Sequence, residues 1–379
     1  MNKKIWLSLA LMSGEEQKYI QEAFDTNWVV PLGPNVNAFE ASLENYLGED
    51  KKVVALVSGT SAIHLALIQL GVTQGDEVIC QSFTFAASAN PIKYVGATPV
   101  FIDSEQETWN MNPVFLEQAI QDRILKTGHK PKAIIPVHLY GMPANMEAIM
   151  EIANRYEIPV IEDAAEALGS VYKGQRCGTF GEFACLSFNG NKMITTSGGG
   201  ALVCSTPEQA KKTMFYATQA RDEAPHYQHS EIGYNYRLSN ICAGIGRGQM
   251  TALDSYVARR REINATYIHL LSDIPGISFL ENPTKDYQSN HWLTCVAVDF
   301  QMAGFTREDL RLAMDEANIE TRPLWKPMHL QPVFADAPFY GDGTSELLFE
   351  NGLCLPSSPI LTEDDINRVV EVFTKLHAK

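Results

Sequence analysis

From Val53 onward, short apolar runs alternate with longer stretches of helical period. Val53–Val57, Glu77–Cys80, Pro99–Ile102, Ala133–His138 and Pro159–Ile161 read as strands, the last running into Glu162-Asp163. Between them, Ser58-Gly59-Thr60-Ser61 opens a helix through about Leu70. Further helices are predicted near Ala86–Tyr94, from Pro113, and over Met146–Tyr156. Strands alternating with helices in this way predict βαβ units, an α/β fold and a mainly parallel sheet. Ligands of such sheets bind beyond the carboxyl ends of the strands. Two more apolar runs, Phe183–Ser187 and Ala201–Cys204, flank a polar, glycine-rich stretch. Thr206-Pro207 starts another helix, with Thr as the cap and Pro in the first position. A long helical run, Met250–Leu271, reads as a spine. After it the pattern changes to a strand over Trp292–Phe300, a helix from Thr306, the segment Ile319–Arg322 and a last helix from Thr362.

At 379 residues the chain exceeds one small core. The change of pattern predicts a large domain over 1–250 and a smaller α+β domain over 251–379, with the N-terminal segment free to pack on the small one. Hydrophobic content of 45% and charged content of 20% are ordinary for a soluble globular protein. The net charge of −15 argues against non-specific binding to nucleic acid or anionic membranes. Seven cysteines, an odd number without a C-x-x-C pair, read as reduced core residues of a cytoplasmic protein with no metal site. The run Met1–Met12 imitates a signal peptide, but it is short and meets Glu15-Glu16 without a small-residue cleavage site. Ser13-x-x-Glu16 is instead a capping box for a helix through about Phe24.

The candidate chemistry centres on Lys192, inside Ser187-Phe-Asn-Gly-Asn-Lys192 and followed by Met193–Gly200. Alone it reads as an exposed loop lysine. In this setting of apolar strands and small or amide side chains it reads as a buried reactive amine, suited to forming a Schiff base with a carbonyl compound. Asp163 closes a strand, where a carboxylate can pair with a protonated pyridine nitrogen. Ser58-Gly59-Thr60-Ser61 sits where a strand turns into a helix, so its N–H groups and hydroxyls suit a phosphate or a plain N-cap. Phe85 could stack on an aromatic ring or belong to the core.

Taken in order, these stretches resemble the DegT-type nucleotide-sugar aminotransferases, which have the aspartate-aminotransferase (type I) fold of pyridoxal-phosphate enzymes. The resemblance spans Gly33-Pro-x-Val36, Ser58–Ala66, Gly75–Val78, Gly96–Asp103, Val137–Gly141, Glu162–Gly169, Gly178–Gly181, Ser187–Gly200 and Gly233–Asn240. It implies pyridoxal 5′-phosphate as cofactor. Lys192 would form the internal aldimine and later move a proton between the donor's Cα and C4′ of the cofactor. Asp163 would be the pyridinium partner, Gly59, Thr60, Ser61 and Ser187 phosphate contacts, and Phe85 the stacking ring. Glu166 falls where the family more often has Gln or His, near the phenolic oxygen. Asn235 would reach the phosphate of the neighbouring subunit, implying a homodimer with shared sites.

Two stretches bear on the substrate: Asn27-Trp28-Val29-Val30, and the stiff loop containing Arg322, Trp325, Lys326, Pro327, Met328 and His329. A third, Asn290-His291-Trp292, adds a further aromatic. The loop, with Gly352–Ser357, is similar to the branch that aminates UDP-2-acetamido-4-keto-2,4,6-trideoxy-glucose to UDP-N-acetylbacillosamine, with glutamate the family's usual donor. GDP-perosamine-type transaminases share much of the pattern. A non-catalytic regulator that binds the cofactor is the remaining alternative, opposed by the intact Lys192–Asp163 pair.

Overall fold

The computed structural model describes residues 3–48 and 50–378. The first two residues of the Met1–Met12 run therefore lie outside the described residues. The central sheet contains strands β1 (Lys52–Leu56), β2 (Glu77–Gln81), β3 (Thr98–Ile102), β4 (Ala133–Ile135), β5 (Ile161–Asp163), β6 (Phe183–Ser187) and β7 (Gly200–Cys204). They form two four-stranded sheets, β1-β7-β6-β5 and a second in which β3, β2 and β4 are joined by a strand at Phe339–Tyr340. Parallel bridges Ile134–Val160 and Val137–Asp163 connect the two sheets.

β2 pairs in parallel with β3 and β4, and β5 with β6, whereas β7 is antiparallel to both β6 and β1. The local reason lies in the connection. β6 and β7 are joined by Phe188–Gly199, which forms no crossover helix, and the chain returns antiparallel. Helices α1 (Glu16–Asp25), α2 (Pro34–Leu47), α3 (Gly59–Gln69), α4 (Asn90–Tyr94), α5 (Pro113–Thr127), α6 (Met146–Tyr156), α7 (Pro207–Ala217) and α8 (Asn240–Met250) cover this sheet. Its apolar strand residues, such as Val54, Ile79, Phe101 and Ile161, are fully buried.

Several boundaries move for definite reasons. β4 ends at Ile135, because Pro136 has no N–H to donate to a ladder. Residues 86–94 split into a short 3-10 turn and α4, with Pro91 at the start of α4. β5 begins two residues later than the pattern predicts, so that Asp163 is its last residue. The spine is one helix, α9 (Leu253–Leu271), starting three residues later than the pattern predicts, because Met250 closes α8 and a turn follows it. At α1 only half of the capping box forms. Glu16 accepts from the Ser13 N–H at 2.7 Å, while the Ser13 hydroxyl takes the Glu15 N–H instead.

The C-terminal part builds a second, antiparallel sheet from β8 (Ile277–Phe279), β9 (Thr294–Val298) and β12 (Gly352–Leu355). β10 (Arg322–Pro323) lies at its edge, and β11 is the Phe339–Tyr340 strand described above. α9, α10 (Arg307–Glu316) and α11 (Glu363–His377) pack on this sheet around Ile263, Leu310, Met314, Val369 and Phe373. Thr306 and Thr362 close reciprocal capping boxes with Asp309 and Asp365, which is why both helices start where the sequence predicts. Ile5 bridges Ile319, so the N-terminal segment lies along this sheet rather than the central one. β11 runs the other way across the division: it belongs to the C-terminal part in sequence but pairs with β3.

Candidate active site

A cavity of about 300 Å³ opens at the carboxyl ends of β5 and β6 and at the N-terminus of α3. Lys192, Asp163, Glu166, Phe85, Gly59, Thr60 and Ser187 all line it, brought together from segments up to 133 residues apart (59 to 192). Ser61 does not face it. Its hydroxyl lies 2.7 Å from that of Ser58, the N-cap residue of α3, whose oxygen accepts the Ser61 N–H at 3.0 Å. The Ser58 cap leaves Gly59 and Thr60 at the cavity wall, where the first N–H groups of a helix have no intrahelical acceptor. Space beside Gly59 is tight. A Cβ there would come within 3.3 Å of the Leu186 carbonyl.

Asp163 is buried, at 5% exposure, and accepts three hydrogen bonds. The Ser88 hydroxyl donates to Oδ2 at 2.6 Å; the Ala165 N–H and the Cys185 thiol donate to Oδ1, each at 3.1 Å. All three donors are neutral. A buried carboxylate held this way, in a cavity wall, calls for a cationic ligand group. Burial, with the Asp163 charge beside it, pushes the Cys185 thiol well above the ordinary range, so Cys185 remains a donor here.

Lys192 Nζ lies 3.3 Å from Glu166 Oε1 and 4.1 Å from the centroid of the Trp292 ring. Glu166 Oε2 accepts the Tyr140 N–H at 2.7 Å. Burial raises the Glu166 carboxyl above its usual range, although Lys192 and the Tyr140 N–H both oppose the shift. Tyr140 has a left-handed backbone, φ 55° and ψ 16°, which is strained for a tyrosine. It is held there by two near-parallel rings, Trp292 at 6.5 Å and Trp325 at 6.2 Å, and by its hydroxyl, which accepts from the Trp325 backbone N–H at 2.8 Å.

Phe85 is 55% exposed, so it is not a core residue, and its ring lies 5.2 Å from that of Trp325 at the cavity mouth. A second cavity of about 420 Å³ adjoins the first, sharing Asn191, Trp292 and Trp325, and includes Ser8, Glu320, Arg322 and Cys354. Arg322 reaches it while paired with Glu320 at 2.7 Å. Lys326, Pro327, Met328 and His329 line neither cavity. Met328 is buried in the core below the central sheet. His329 bonds Ser82 at 2.7 Å and Glu346 at 3.2 Å, with its ring stacked on Phe339, so its polar atoms are already engaged. Asn27, Trp28, Val29 and Val30 are exposed and stand apart from the cavity of their own chain, as does Asn235.

Sequence reasoning missed Thr84, Ser88, Cys185 and Tyr140. Thr84 and Ser88 share a hydrogen bond of 2.7 Å behind Asp163, and nothing in their local pattern marks them. The cysteine was visible only as one residue of an apolar strand.

The pocket fits pyridoxal 5′-phosphate. It supplies an amine for an aldehyde, an uncompensated carboxylate for a ring nitrogen, a helix N-terminus for a phosphate and exposed aromatic faces for a ring.

The model of the DegT/DnrJ/EryC1/StrS aminotransferase family matches residues 11–374. EpsN of Bacillus subtilis (strain 168), provisionally named a pyridoxal phosphate-dependent aminotransferase, is 52% identical over 99% of this chain and 96% of its own. GDP-perosamine synthase of Escherichia coli O157:H7 is 37% identical over 97% of each chain. The crystal structure of a DegT DnrJ EryC1 StrS aminotransferase from Brucella abortus is 30% identical, with a TM-score of 0.89 over 97% of this chain and 96% of that one. The chain belongs to the DegT/DnrJ/EryC1/StrS aminotransferase family and is an enzyme of pyridoxal 5′-phosphate-dependent amino transfer.

Proposed function

We propose that the enzyme moves an amino group from an amino acid, L-glutamate, to C4 of a 4-keto-6-deoxy nucleotide sugar. The favoured sugar is UDP-2-acetamido-4-keto-2,4,6-trideoxy-glucose and the product UDP-N-acetylbacillosamine. The observation that carries the reading is the single cavity in which an amine, a buried carboxylate with neutral partners and a helix N-terminus converge. A second, aromatic-lined cavity adjoining it offers room for a sugar.

When bound, pyridoxal 5′-phosphate supplies an electrophilic carbon and an electron-accepting ring. The protein's own groups do the rest. Lys192 would act as the nucleophile and as the carrier of the proton that leaves the donor's Cα. Asp163, fixed by Ser88, Cys185 and Ala165, would hold negative charge for the ring nitrogen. Gly59, Thr60 and Ser187 would hold the phosphate and Phe85 the ring, while Glu166 sets the charge beside Lys192. Arg322 and Trp325 contact the sugar nucleotide at the mouth.

The reading includes a cytoplasmic homodimer with shared sites. Asn235 stands away from its own cavity, and Phe24, Trp28, Val29, Val30 and Ile232 are exposed apolar residues suited to a partner's surface. Residues 27–30 would then close over the sugar in the partner's site. Among the described residues no helix is long and apolar enough to cross a membrane.

A second reading is favoured by the 37% identity to GDP-perosamine synthase: the same chemistry on a GDP-linked keto sugar. A panel of UDP-, GDP- and TDP-linked 4-keto-6-deoxy sugars, assayed with glutamate, separates the two. Fastest turnover of the UDP-N-acetyl compound supports the first, and preference for the GDP sugar replaces it with the second. Absence of amino transfer to any keto sugar overturns both.

A further inference from the structure

Trp292 is 1% exposed, yet its position serves more than packing. The Lys192 ammonium lies over its ring, and its indole N–H donates to the Asn191 carbonyl at 2.7 Å. That carbonyl belongs to the peptide leading directly into Lys192. The Ser8 hydroxyl donates to the same oxygen at 2.8 Å, so both of its lone pairs are engaged.

Behind these two donors stands Arg260, on α9 and also 1% exposed. Its guanidinium donates to the Trp292 carbonyl at 2.5 Å, to the Ser357 carbonyl at 2.9 Å and to the Ser8 hydroxyl at 3.1 Å. None of these acceptors is a carboxylate, Nε has no partner, and burial lowers its pKa to about 9. A buried cation without a counter-anion is unfavourable. Here its fork joins three separate segments that a neutral side chain could not hold together.

The other wall of the amine's surroundings is tied to the same frame. Asn290 accepts the Trp292 N–H at 2.8 Å and donates to the Glu166 carbonyl at 2.9 Å. The ring beneath Lys192 and the carboxylate beside it are thus set by one clamp. The fit is close, since a Cβ on Gly141 would collide with the Asn290 side chain.

We propose that Trp292 and Arg260 are positioning residues for the reactive amine: the indole face seats the Lys192 ammonium whenever Nζ is not bonded to a carbonyl-derived carbon, and Arg260 locks the indole and Ser8 onto the Asn191 carbonyl. This rests on Lys192 being the reactive amine of the proposed function. The amine must leave and return in each half-reaction, and a free lysine has large rotamer entropy. A cation–π seat keeps it in reach of the reacting carbon.

The test uses the full-length, cofactor-free chain and the rate at which trinitrobenzenesulfonate labels Lys192, read by peptide mass spectrometry at one fixed pH. Trp292 is replaced by mono-, di- and trifluorotryptophan, which keep its shape and N–H but weaken the ring's negative face. The labelling rate should rise stepwise, by about tenfold over the series. A flat series overturns the seat. Arg260→Lys should retain most of the protection and Arg260→Met should lose it. If both label like wild type while melting earlier, Arg260 is structural only and its part of the proposal falls. In turnover, the fluorinated series should lower kcat with the KM for glutamate unchanged; an unchanged kcat is the contrary result. A wild-type enzyme that labels as expected but transfers no amino group overturns the function reading alone. A flat series in an enzyme with full amino transfer overturns the seat alone.

Discussion

Asp163→Asn separates the charge of this residue from its place in the fold. The structure shows how asparagine can be accommodated. The Ala165 N–H and the Cys185 thiol both donate to Oδ1, which the amide oxygen can replace. Oδ2 faces only the Ser88 hydroxyl, and that hydroxyl can turn to accept from the new amide while donating to Thr84, 2.7 Å away. The second amide N–H and the Thr84 hydroxyl proton lose their protein acceptor, but both residues line the cavity, where solvent can accept them. The fold therefore loses about the difference between charged and neutral hydrogen bonds, about 1–2 kcal/mol. On the proposed function, activity loses a charge aimed at the ring nitrogen of the cofactor. Removal of one preorganised electrostatic partner typically lowers rate by about 10²–10³, or about 3–4 kcal/mol. The assay is the single-turnover half-reaction with glutamate, followed by cofactor absorbance, beside a thermal melt of the same sample. The expected result is a near-native melt with a rate at least a hundredfold lower, about the smaller bound just given. A rate within tenfold of wild type refutes the reasoning, because Asp163 would then not face the ring nitrogen. A collapse of the melt refutes the accommodation argument instead.

Lys192→Ala should fold normally and abolish the half-reaction; borohydride treatment followed by mass spectrometry should find no cofactor bonded to the chain, and a persistent adduct would place the bond elsewhere. Arg237→Met should be strongly destabilising, by about 3–5 kcal/mol, because it strands Glu40, whose carboxylate takes both the Arg237 guanidinium and the Ala55 N–H, in a largely buried pair. Denaturant melts of Arg237→Met, Glu40→Gln and the double variant measure it, and a loss below about 1 kcal/mol would count against it. Glu166→Gln tests a pH dependence. Burial raises this carboxyl above about 4.5, so the stability its proton contributes is full below that pH and lost as pH rises through the raised value. The melting temperature of wild type relative to Glu166→Gln should therefore decline as pH is raised from about 4.5 to neutrality, and parallel curves would contradict it. Finally, Asn235→Ala mixed with Lys192→Ala should regain activity through hybrid dimers, whereas an active monomer on sizing would exclude shared sites.

Much of this enzyme could be read along the chain, and the particular cases explain why. Thr206, Thr306 and Thr362 each cap a helix with a residue three positions later, so those starts depend on contacts within one turn. Ser58 caps α3 by the same local rule, and with it the position of Gly59 and Thr60 was already decided. Lys192 and Asp163 drew notice by their residue types and flanking strands, though each alone reads as a loop residue, whereas Glu166 was reached only through the family resemblance. Phe85 did not declare itself, because a phenylalanine after a strand reads equally as core. Only the cavity shows that its ring is exposed.

What the sequence determined by itself was whatever a few neighbouring residues can impose: the succession of strands and helices, their caps, and which residues are candidates for the reactive groups. What only the tertiary structure decided depends on partners far away in the chain. The Phe339–Tyr340 strand reaches back to β3, and His329 spends its ring nitrogens on Ser82 and Glu346 instead of facing a cavity. Ser88 holds Asp163 from 75 positions away, and Arg260 joins Ser8, Trp292 and Ser357 at one buried charge. No periodicity encodes such contacts. They exist because packing buries polar groups that must then find partners wherever the fold brings them, and those partners set the geometry around Lys192.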